Sequence, residues 1–257
     1  MNEPHIHPTS SSLARAAADL FVRLCDRALA TQGRFVVALA GGSTPREAYQ
    51  LLATEEYASE IDWSYVYIFW GDERCVPADH AESNHHMARE ALLNHIPIPV
   101  SNIYRIPGEL APQQAADAYE HTLRDFFKRR VGSTRARFDL VLLGLGADAH
   151  TASLFPGSPA VHERTRWAMA VAHPQTGQAR ITLTPPALNA GATVAFLVSG
   201  EDKAAAVKRV LTEPPQPDVL PAQIIQPEHG QLLWLLDNAA ASQLEVKCVD
   251  FAVPEAR

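Results

Sequence analysis

The sequence is poor in cysteine and lacks any long apolar run. Its 257 residues include only Cys25, Cys75 and Cys248, which are far apart and show neither CxxC nor Cys/His zinc spacing. An odd number of isolated cysteines favours reduced thiols over a disulfide framework. No segment reaches about 18 uninterrupted apolar residues, and the start lacks a basic region followed by an apolar core. We therefore expect a cytoplasmic protein that is neither exported nor membrane-spanning.

Excess positive charge is also absent. The formal net charge is -7 at pH 7, which argues against a nucleic-acid partner, although a few local arginines can still bind a small anion. With 47% hydrophobic residues, a chain of this length can bury a large core. We expect one domain over residues 1–257, as a monomer or small homo-oligomer. Residues 1–10 resemble a flexible tail, and Ser11 or Ser12 is a candidate cap for the first helix.

Apolar strand patterns alternate with helical ones along the chain. Strands are expected near residues 34–40, 63–70, 140–143, 167–172, 180–184, 192–198 and 231–236. Helices are expected near residues 13–28, 45–52, 82–94, 112–130 and 203–211. This alternation indicates an α/β fold with a doubly wound, Rossmann-like, mainly parallel sheet and helices on both faces.

The most informative stretch is FDLVLLGLGADAHTASLFPG, residues 138–157. Its first part predicts a strand covered on both faces, because apolar and polar residues do not alternate. Ligands bind beyond the carboxyl ends of such strands, where Gly144 and Gly146 let the backbone approach a ligand and His150 follows. A structural histidine is the alternative. The glycines also fit the relaxed dinucleotide pattern, but Pro156 leaves too short a helix for it.

A second glycine turn follows the first long strand. Gly41 and Gly42 precede Ser43 and Thr44, and Pro45 suits the first turn of a helix. Free backbone N–H groups and the helix dipole would meet at this turn and bind an anion. A simple capped turn is the alternative interpretation. The turn is not a Walker A loop, since no Gly-Lys-Ser/Thr follows at the required spacing.

Charged residues follow three other strands. Arg74 offers a forked cation for phosphate, and Asp72 in the same loop can orient a base or bind a hydroxyl. A surface salt-bridge cluster is the alternative for that loop. Arg180 begins another strand, and Lys203 lies in the first turn of a helix, where it opposes the helix dipole. Lys203 is a candidate anion ligand or a solvated lysine.

The ordered motifs resemble the family of 6-phosphogluconolactonases. They are ALAGGSTP at 38–45, FWGDER followed by Val76 at 69–76, ESNHHMARE at 82–90, the stretch at 138–157, RITLT at 180–184 and VSGEDKA at 198–204. The resemblance implies a modified doubly wound fold, a phosphosugar lactone substrate, and neither an organic cofactor nor a required metal. It implies substrate and phosphate contacts from Gly41, Gly42, Ser43, Thr44, Arg74, Arg180 and Lys203.

The resemblance also implies that His150 is the catalytic base. In the inferred reaction, neutral His150 takes a proton from the attacking water and then protonates the departing ring oxygen. Asp72 and Asp148 are both candidates for orienting it. The chain departs from the family's usual Asp-Gly-His, because alanine stands at 149. A positive φ there would cost an alanine about 1 kcal/mol or more.

Two other functions compete with lactone hydrolysis. The chain also resembles the glucosamine-6-phosphate deaminase-like isomerases, but that family has a glutamate five residues after the histidine. Phe155 stands at this place here. A sugar-phosphate-binding protein without catalytic activity would keep the anion site and would not need His150. The chain offers no DNA-binding domain to accompany such a role.

Overall fold

A computed structural model describes residues 4–244 of the chain. It contains a six-stranded sheet and a separate three-stranded sheet. The strands are β1 His5–His7, β2 Phe35–Leu39, β3 Val66–Trp70, β4 Asp72–Arg74, β5 Leu140–Leu143, β6 Ala168–Ala172, β7 Ala179–Leu183, β8 Thr193–Val198 and β9 Gln231–Asp237. The α-helices are α1 Ser10–Gln32, α2 Ser43–Leu52, α3 Glu55–Ala58, α4 Asn84–Ala91, α5 Pro112–Phe126, α6 Pro185–Leu188 and α7 Ala204–Thr212.

The six-stranded sheet is parallel throughout, in the order β1-β9-β8-β5-β2-β3. The chain moves from β2 outward to β3 and then returns to the other side of β2 with β5. This reversal lies between β2 and β5, and ligands bind beyond the strand ends at such a switch point. Both strands are buried along their whole length, as expected from their uninterrupted apolar sequences. The predicted α/β class and parallel sheet are confirmed.

The second sheet is antiparallel, in the order β4-β7-β6. The sequence predicts β6 and β7 but neither their separate sheet nor β4, whose three residues carry three charges. In the register of β4 and β7, Asp72 lies opposite Thr182 and Arg74 lies opposite Arg180. The small sheet therefore brings two arginines from distant parts of the chain side by side.

The N-terminal segment is ordered, so the predicted flexible tail is wrong for residues 4–10. Strand β1 pairs with the edge of β9, which satisfies its backbone groups. Helix α1 begins one turn earlier than expected, and its cap is Thr9 rather than Ser11 or Ser12. The Thr9 hydroxyl accepts from the Ser12 backbone N–H at 3.1 Å, and the Ser12 hydroxyl accepts from the Thr9 N–H at 3.0 Å. This reciprocal pair is a capping box.

Strand β5 has the predicted bounds, whereas several other predicted elements have shifted ends. The segment before β3 is a short 3-10 turn, so that strand starts at Val66 rather than Trp63. Helix α4 is shorter than the predicted 82–94. The helix predicted over 112–130 ends its α-helical part at Phe126 and continues as one π-helical turn to Val131.

An aromatic cluster packs α5 against β3. The Phe69 ring lies 4.7 Å from the Tyr104 ring and 5.0 Å from the Phe126 ring, measured between centroids. Such pairs contribute about 0.5–1.5 kcal/mol each beyond the buried area. They fix the end of β3 from which the charged strand β4 departs. None of the helices between residues 4 and 244 has the length and apolar character needed to cross a membrane.

Candidate active site

A cavity of about 320 Å³ opens at the carboxyl ends of β2, β5 and β8. It lies at the switch point described above. The predicted site residues that line it are Gly41, Gly42, Ser43, Thr44, Asp72, Arg74, His150, Arg180 and Lys203. Asp148 is outside this lining and contacts His150 instead. A larger cavity of about 600 Å³ lies at the amino ends of β2, β5 and β8, and none of the predicted residues lines it.

The glycine turn after β2 leads directly into α2. Gly42 has φ 102°, a conformation that residues other than glycine rarely adopt. Gly41 has no room for a side chain, since a Cβ atom there would lie 2.0 Å from Asn84 Oδ1. The turn thus exposes the first backbone N–H groups of α2 toward the cavity, as an anion site requires. The Thr44 hydroxyl also bonds to the Ser199 hydroxyl at 2.7 Å, which ties α2 to the end of β8.

Arg74 and Arg180 bring two adjacent positive charges to the cavity. The Nε atoms of both side chains are buried and have no hydrogen-bond partner within the described residues. Arg74 donates to the Glu82 carbonyl, and Arg180 donates to Gln178 Oε1 at 3.2 Å. Burial lowers the pKa of Arg180, and the neighbouring charge of Arg74 lowers it further. A bound phosphate or carboxylate would compensate these two half-buried guanidiniums and their buried Nε donors.

Lys203 approaches the cavity from the end of β8. It closes a 3-10 turn, Glu201–Lys203, which begins after Gly200 with φ 100°. Its Nζ atom lies 3.0 Å from Asp202 Oδ2, and 27% of its side chain is exposed. Because the Asp202 side chain is mostly exposed, this ion pair is weak, and the Lys203 ammonium can still bind a second anion. Lys203 therefore adds a third cation to the cavity lining.

His150 lies on a tight turn beyond β5. The turn is closed by a hydrogen bond from the Gly146 N–H to the His150 carbonyl at 2.8 Å. His150 Nδ1 lies 2.5 Å from Asp148 Oδ1, and no hydrogen bond involves Nε2 within the described residues. A carboxylate at Nδ1 fixes the tautomer that leaves Nε2 free to take a proton. Asp148, rather than Asp72, is thus the carboxylate in contact with the histidine.

The pKa of Asp148 is lowered. Burial alone would raise it, but the hydrogen bond from His150 and the attraction of that ring outweigh burial. The carboxylate therefore stays ionised near neutral pH and can stabilise a protonated His150. Ala149, between the two, has φ 65°. The left-handed conformation expected of the usual glycine is kept, although the residue is alanine.

Phe155 packs against His150. The Phe155 side chain is 1% exposed, and its ring centroid lies 4.9 Å from that of His150 and 4.9 Å from that of His173. Arg180 lies over the same ring, with its Cζ atom 5.9 Å from the centroid. An apolar ring at this place offers no carboxylate to a substrate, so no acid is available five residues beyond His150.

Asp72 makes contacts that the sequence did not suggest. Its Oδ2 atom accepts from the Ser153 hydroxyl at 2.6 Å, and its Oδ1 atom accepts from Asn84 Nδ2 at 3.1 Å. Ser153 and Asn84 were not singled out from the sequence. The one signal for Asn84 is its place at the start of a helix, immediately after the capping Ser83. Nothing in the local pattern indicates Ser153.

The histidine, cysteine and acidic side chains of the described residues do not converge on a metal centre. No group of three or more histidine, cysteine, aspartate or glutamate side chains between residues 4 and 244 is placed to hold one. The adjacent histidines of α4 diverge, since His85 packs against Trp70 and His86 contacts Arg89. The lining combines three cations with Asp72 and with His150, whose ring contacts Asp148 just outside the lining.

An open α/β sheet with a cation-lined cavity and a histidine–aspartate pair at its switch point defines an α/β protein built to bind and act on a small anion. A family model described as glucosamine-6-phosphate isomerases/6-phosphogluconolactonase matches residues 8–234. The chain belongs to this family.

Curated relatives and solved structures agree with this membership. The chain is 41% identical over 240 residues to a 6-phosphogluconolactonase of Nostoc sp., covering 93% of this chain and 97% of the relative. A solved structure of 6-phosphogluconolactonase from Trypanosoma brucei is similar with a TM-score of 0.83 and 30% identity, covering 95% of this chain and 100% of that one. A monomeric glucosamine-6-phosphate deaminase has a TM-score of 0.78 at 20% identity, over 94% and 99% of the two chains, and shows the shared fold alone.

Proposed function

We propose that this protein hydrolyses 6-phospho-D-glucono-1,5-lactone to 6-phosphogluconate, the lactone-opening step of the oxidative pentose phosphate pathway. The observation that carries the proposal is that one cavity contains both the cations needed to bind the phosphate and the histidine needed to activate water. His150, which Asp148 contacts at Nδ1, lines the same cavity as Arg74 and Arg180. The Nε donors of both arginines have no hydrogen-bond partner among the described residues. The names of the similar proteins support the same reaction.

The phosphate of the substrate is bound by the cationic side of the cavity. The N-terminus of α2, with Ser43 and Thr44, supplies backbone and hydroxyl donors, and the helix dipole favours a dianion there. Arg74 and Arg180 supply the charge, and Lys203 adds to it. Binding the phosphate at one end of the substrate holds the lactone carbonyl near His150, which lowers the entropic cost of reaction.

Hydrolysis then needs one base and one acid, and His150 serves as both. Nε2 removes a proton from a water molecule as its oxygen attacks the lactone carbonyl carbon. The resulting oxyanion is stabilised by nearby N–H groups and by Arg74. When the ring C–O bond breaks, the imidazolium returns the proton to the departing ring oxygen. Asp148 stabilises the imidazolium in between, and the products are a carboxylic acid and a free hydroxyl.

Glucosamine-6-phosphate isomerisation is the second candidate, because the family includes both activities. The deaminase-like isomerases resembled by the sequence have a glutamate five residues after the histidine. Phe155 is buried at this position and packs on His150, so the chain lacks the carboxylate that the isomerases place there for ring opening of an amino sugar. A protein that only binds sugar phosphates is the third candidate. The contact between Asp148 and His150 favours catalysis over this role, since binding alone would not require it.

The deciding experiment supplies freshly generated 6-phosphogluconolactone and follows ring opening above the spontaneous rate. Glucosamine 6-phosphate in a parallel reaction is the control for the isomerase. We expect acceleration with the lactone and no release of ammonia from the amino sugar. Ammonia release would favour the isomerase, and binding of 6-phosphogluconate without any acceleration would favour the binding protein.

We also propose a cytoplasmic location and a monomer or small homo-oligomer. Cys25 and Cys75 are both free thiols, which supports a reducing compartment. Light scattering during size-exclusion chromatography determines the oligomeric state. A mass above that of a tetramer would contradict the proposal.

A further inference from the structure

We infer that Asp72 is a positioning residue that holds the His150 turn and the Gly41–Thr44 loop in a fixed relation. The inference rests on the proposed function. It assigns to Asp72 no contact with the reacting atoms. Its two carboxylate oxygens instead tie the loop that holds the base to the loop that holds the phosphate.

Asp72 is buried, and its carboxylate is held by hydrogen bonds alone. Only 7% of the residue is exposed, and Asp72 takes part in none of the ion pairs found among the described residues. A buried carboxylate without an ion pair depends on its hydrogen-bond donors. If a donor is removed, the desolvation penalty of the carboxylate is no longer compensated. The two side-chain donors are Ser153 and Asn84, one to each oxygen. Ser153 belongs to the segment that carries His150, whereas Asn84 is the first residue of α4 and packs against Gly41 of the phosphate loop.

Ser153 connects Asp72 to the turn that carries His150. Its hydroxyl donates to Asp72 Oδ2 at 2.6 Å, and its backbone N–H donates to Thr182 Oγ1 at 3.1 Å. The residue is fully buried and lies three positions after His150. In the small sheet, Thr182 lies opposite Asp72 itself. The end of the catalytic turn is therefore anchored on strands β4 and β7 rather than on β5, where the turn begins.

Asn84 connects Asp72 to the phosphate loop. Its Nδ2 atom donates both to the Asp72 carboxylate at 3.1 Å and to the Asp72 carbonyl at 2.9 Å. Its Oδ1 atom occupies the space that a Cβ atom on Gly41 would fill, at 2.0 Å. The amide of Asn84 thus packs directly on the backbone of the anion loop. A change in the side chain of Asp72 or Asn84 moves that contact.

Glu73 fixes Asn84 from the other side. One Glu73 carboxylate oxygen accepts from the Asn84 backbone N–H at 2.7 Å, and the other accepts from the Ser83 hydroxyl at 2.9 Å and the His85 N–H at 2.8 Å. Burial raises the pKa of Glu73 despite these donors. The start of α4 is thereby held on β4, so Asn84 has little freedom to follow a displaced Asp72.

The two links make separable predictions for kinetics. Ser153→Ala cuts the link to the His150 turn, so kcat is expected to fall about 10- to 100-fold with KM near the wild-type value. Asn84→Ala cuts the link to the anion loop, so KM is expected to rise about 10-fold, and inorganic phosphate should inhibit less strongly. Asp72→Asn keeps the size of the side chain but places an NH2 group where an acceptor is needed, so both constants should change.

The control variant is Asp139→Asn, which lies at the amino end of β5, opposite the end that leads to the site. The Asp139 carboxylate also binds a backbone N–H, that of Val36 at 2.8 Å, and a side-chain amide, that of Gln32 at 2.5 Å. It contacts neither functional loop. We expect Asp139→Asn to lower the melting temperature without changing kcat or KM. Ser153→Ala in an Asp72→Asn background should lower kcat little further, since both changes cut the same link.

The outcomes separate the inference from the proposed function. A wild-type protein that does not accelerate ring opening contradicts the function, and phosphate binding by the variants then decides the role of Asp72. The inferred role of Asp72 requires that Asn84→Ala weakens phosphate binding and that Ser153→Ala leaves it unchanged. With an active wild type, the inference is overturned if all variants lose only thermal stability. It is also overturned if Asp72→Asn loses far more kcat than the other two changes together, which would indicate direct catalysis.

Discussion

Gly146 lies against the ring of His150 so closely that no side chain fits between them. A Cβ atom on Gly146 would be 2.1 Å from His150 Nδ1 and 2.6 Å from Asp148 Oδ1. Real Cβ atoms essentially never come so close to other heavy atoms. The second glycine of the turn is therefore required by the histidine–aspartate pair itself, and not by the approach of a nucleotide to the backbone.

Replacing Gly146 tests this packing. Gly146→Ala should push the His150 ring away from Asp148 and lower kcat about 100-fold, the loss typical of a misplacement of about 1 Å. Steady-state kinetics and circular dichroism measure the effect and the fold. The control is Gly144→Ala, where a Cβ atom meets nothing within 4 Å. Because Gly144 lines the cavity, that variant should affect KM rather than kcat, and an equal loss of kcat in both would contradict the account.

Ala149 carries backbone strain that a glycine would relieve. With φ 65° it adopts a left-handed conformation that costs an alanine about 1 kcal/mol or more. Ala149→Gly should therefore raise the free energy of unfolding by up to about 1 kcal/mol, measured by urea denaturation. Ala147→Gly, two residues earlier and without a positive φ, is expected to destabilise slightly because glycine gains entropy on unfolding. A destabilised Ala149→Gly protein would show that the turn is not strained.

Arg180 should act on substrate affinity more than on turnover. Arg180→Gln removes a half-buried charge whose buried Nε donor has no partner within the described chain, so KM should rise about 10- to 100-fold. The matched change Arg166→Gln affects an arginine that is already paired with Asp117 and Glu120, away from the cavity. That control should leave KM unchanged. Equal KM values for the Arg180 variant and the wild type would exclude a role in binding.

The sequence was sufficient for the strands that form the main sheet and for the residues that follow them. Continuous apolar runs such as Leu140–Leu143 can only be buried, and glycine, hydroxyl and charged residues at their ends identify the functional edge. The residues that hold the site together were not predictable in this way. Ser153 and Asn84 reach Asp72 from 81 and 12 positions away, and no local pattern encodes such a contact.

Two strands that the sequence does not predict, β1 and β4, depend on pairing with distant parts of the chain. The first strand has only three residues, and it exists because β9 supplies partners from the other end of the chain. Strand β4 consists of Asp72–Arg74, a sequence that alone predicts a charged loop. It is a strand because β7 pairs with it. Long-range pairing thus determined the elements that periodicity missed.

The thiol of Cys25 should be inert in the native protein. Burial, together with the nearby charge of Asp26, raises the pKa of Cys25 to about 12. At pH 8 only about one thiol in 10,000 is then the reactive thiolate. Mass spectrometry after brief treatment with iodoacetamide should find Cys25 unmodified in native protein and modified after unfolding in guanidinium chloride. Equal modification in both states would contradict the burial of this residue.

The central claim is that His150 is the base, and the variant His150→Ala tests it most directly. The measurement is the rate of ring opening of freshly generated 6-phosphogluconolactone, corrected for the spontaneous reaction, beside the affinity for 6-phosphogluconate. We expect turnover to fall about 10²- to 10⁴-fold, the usual contribution of a general base, while product affinity stays near the wild-type value. Turnover close to that of the wild type would contradict the account.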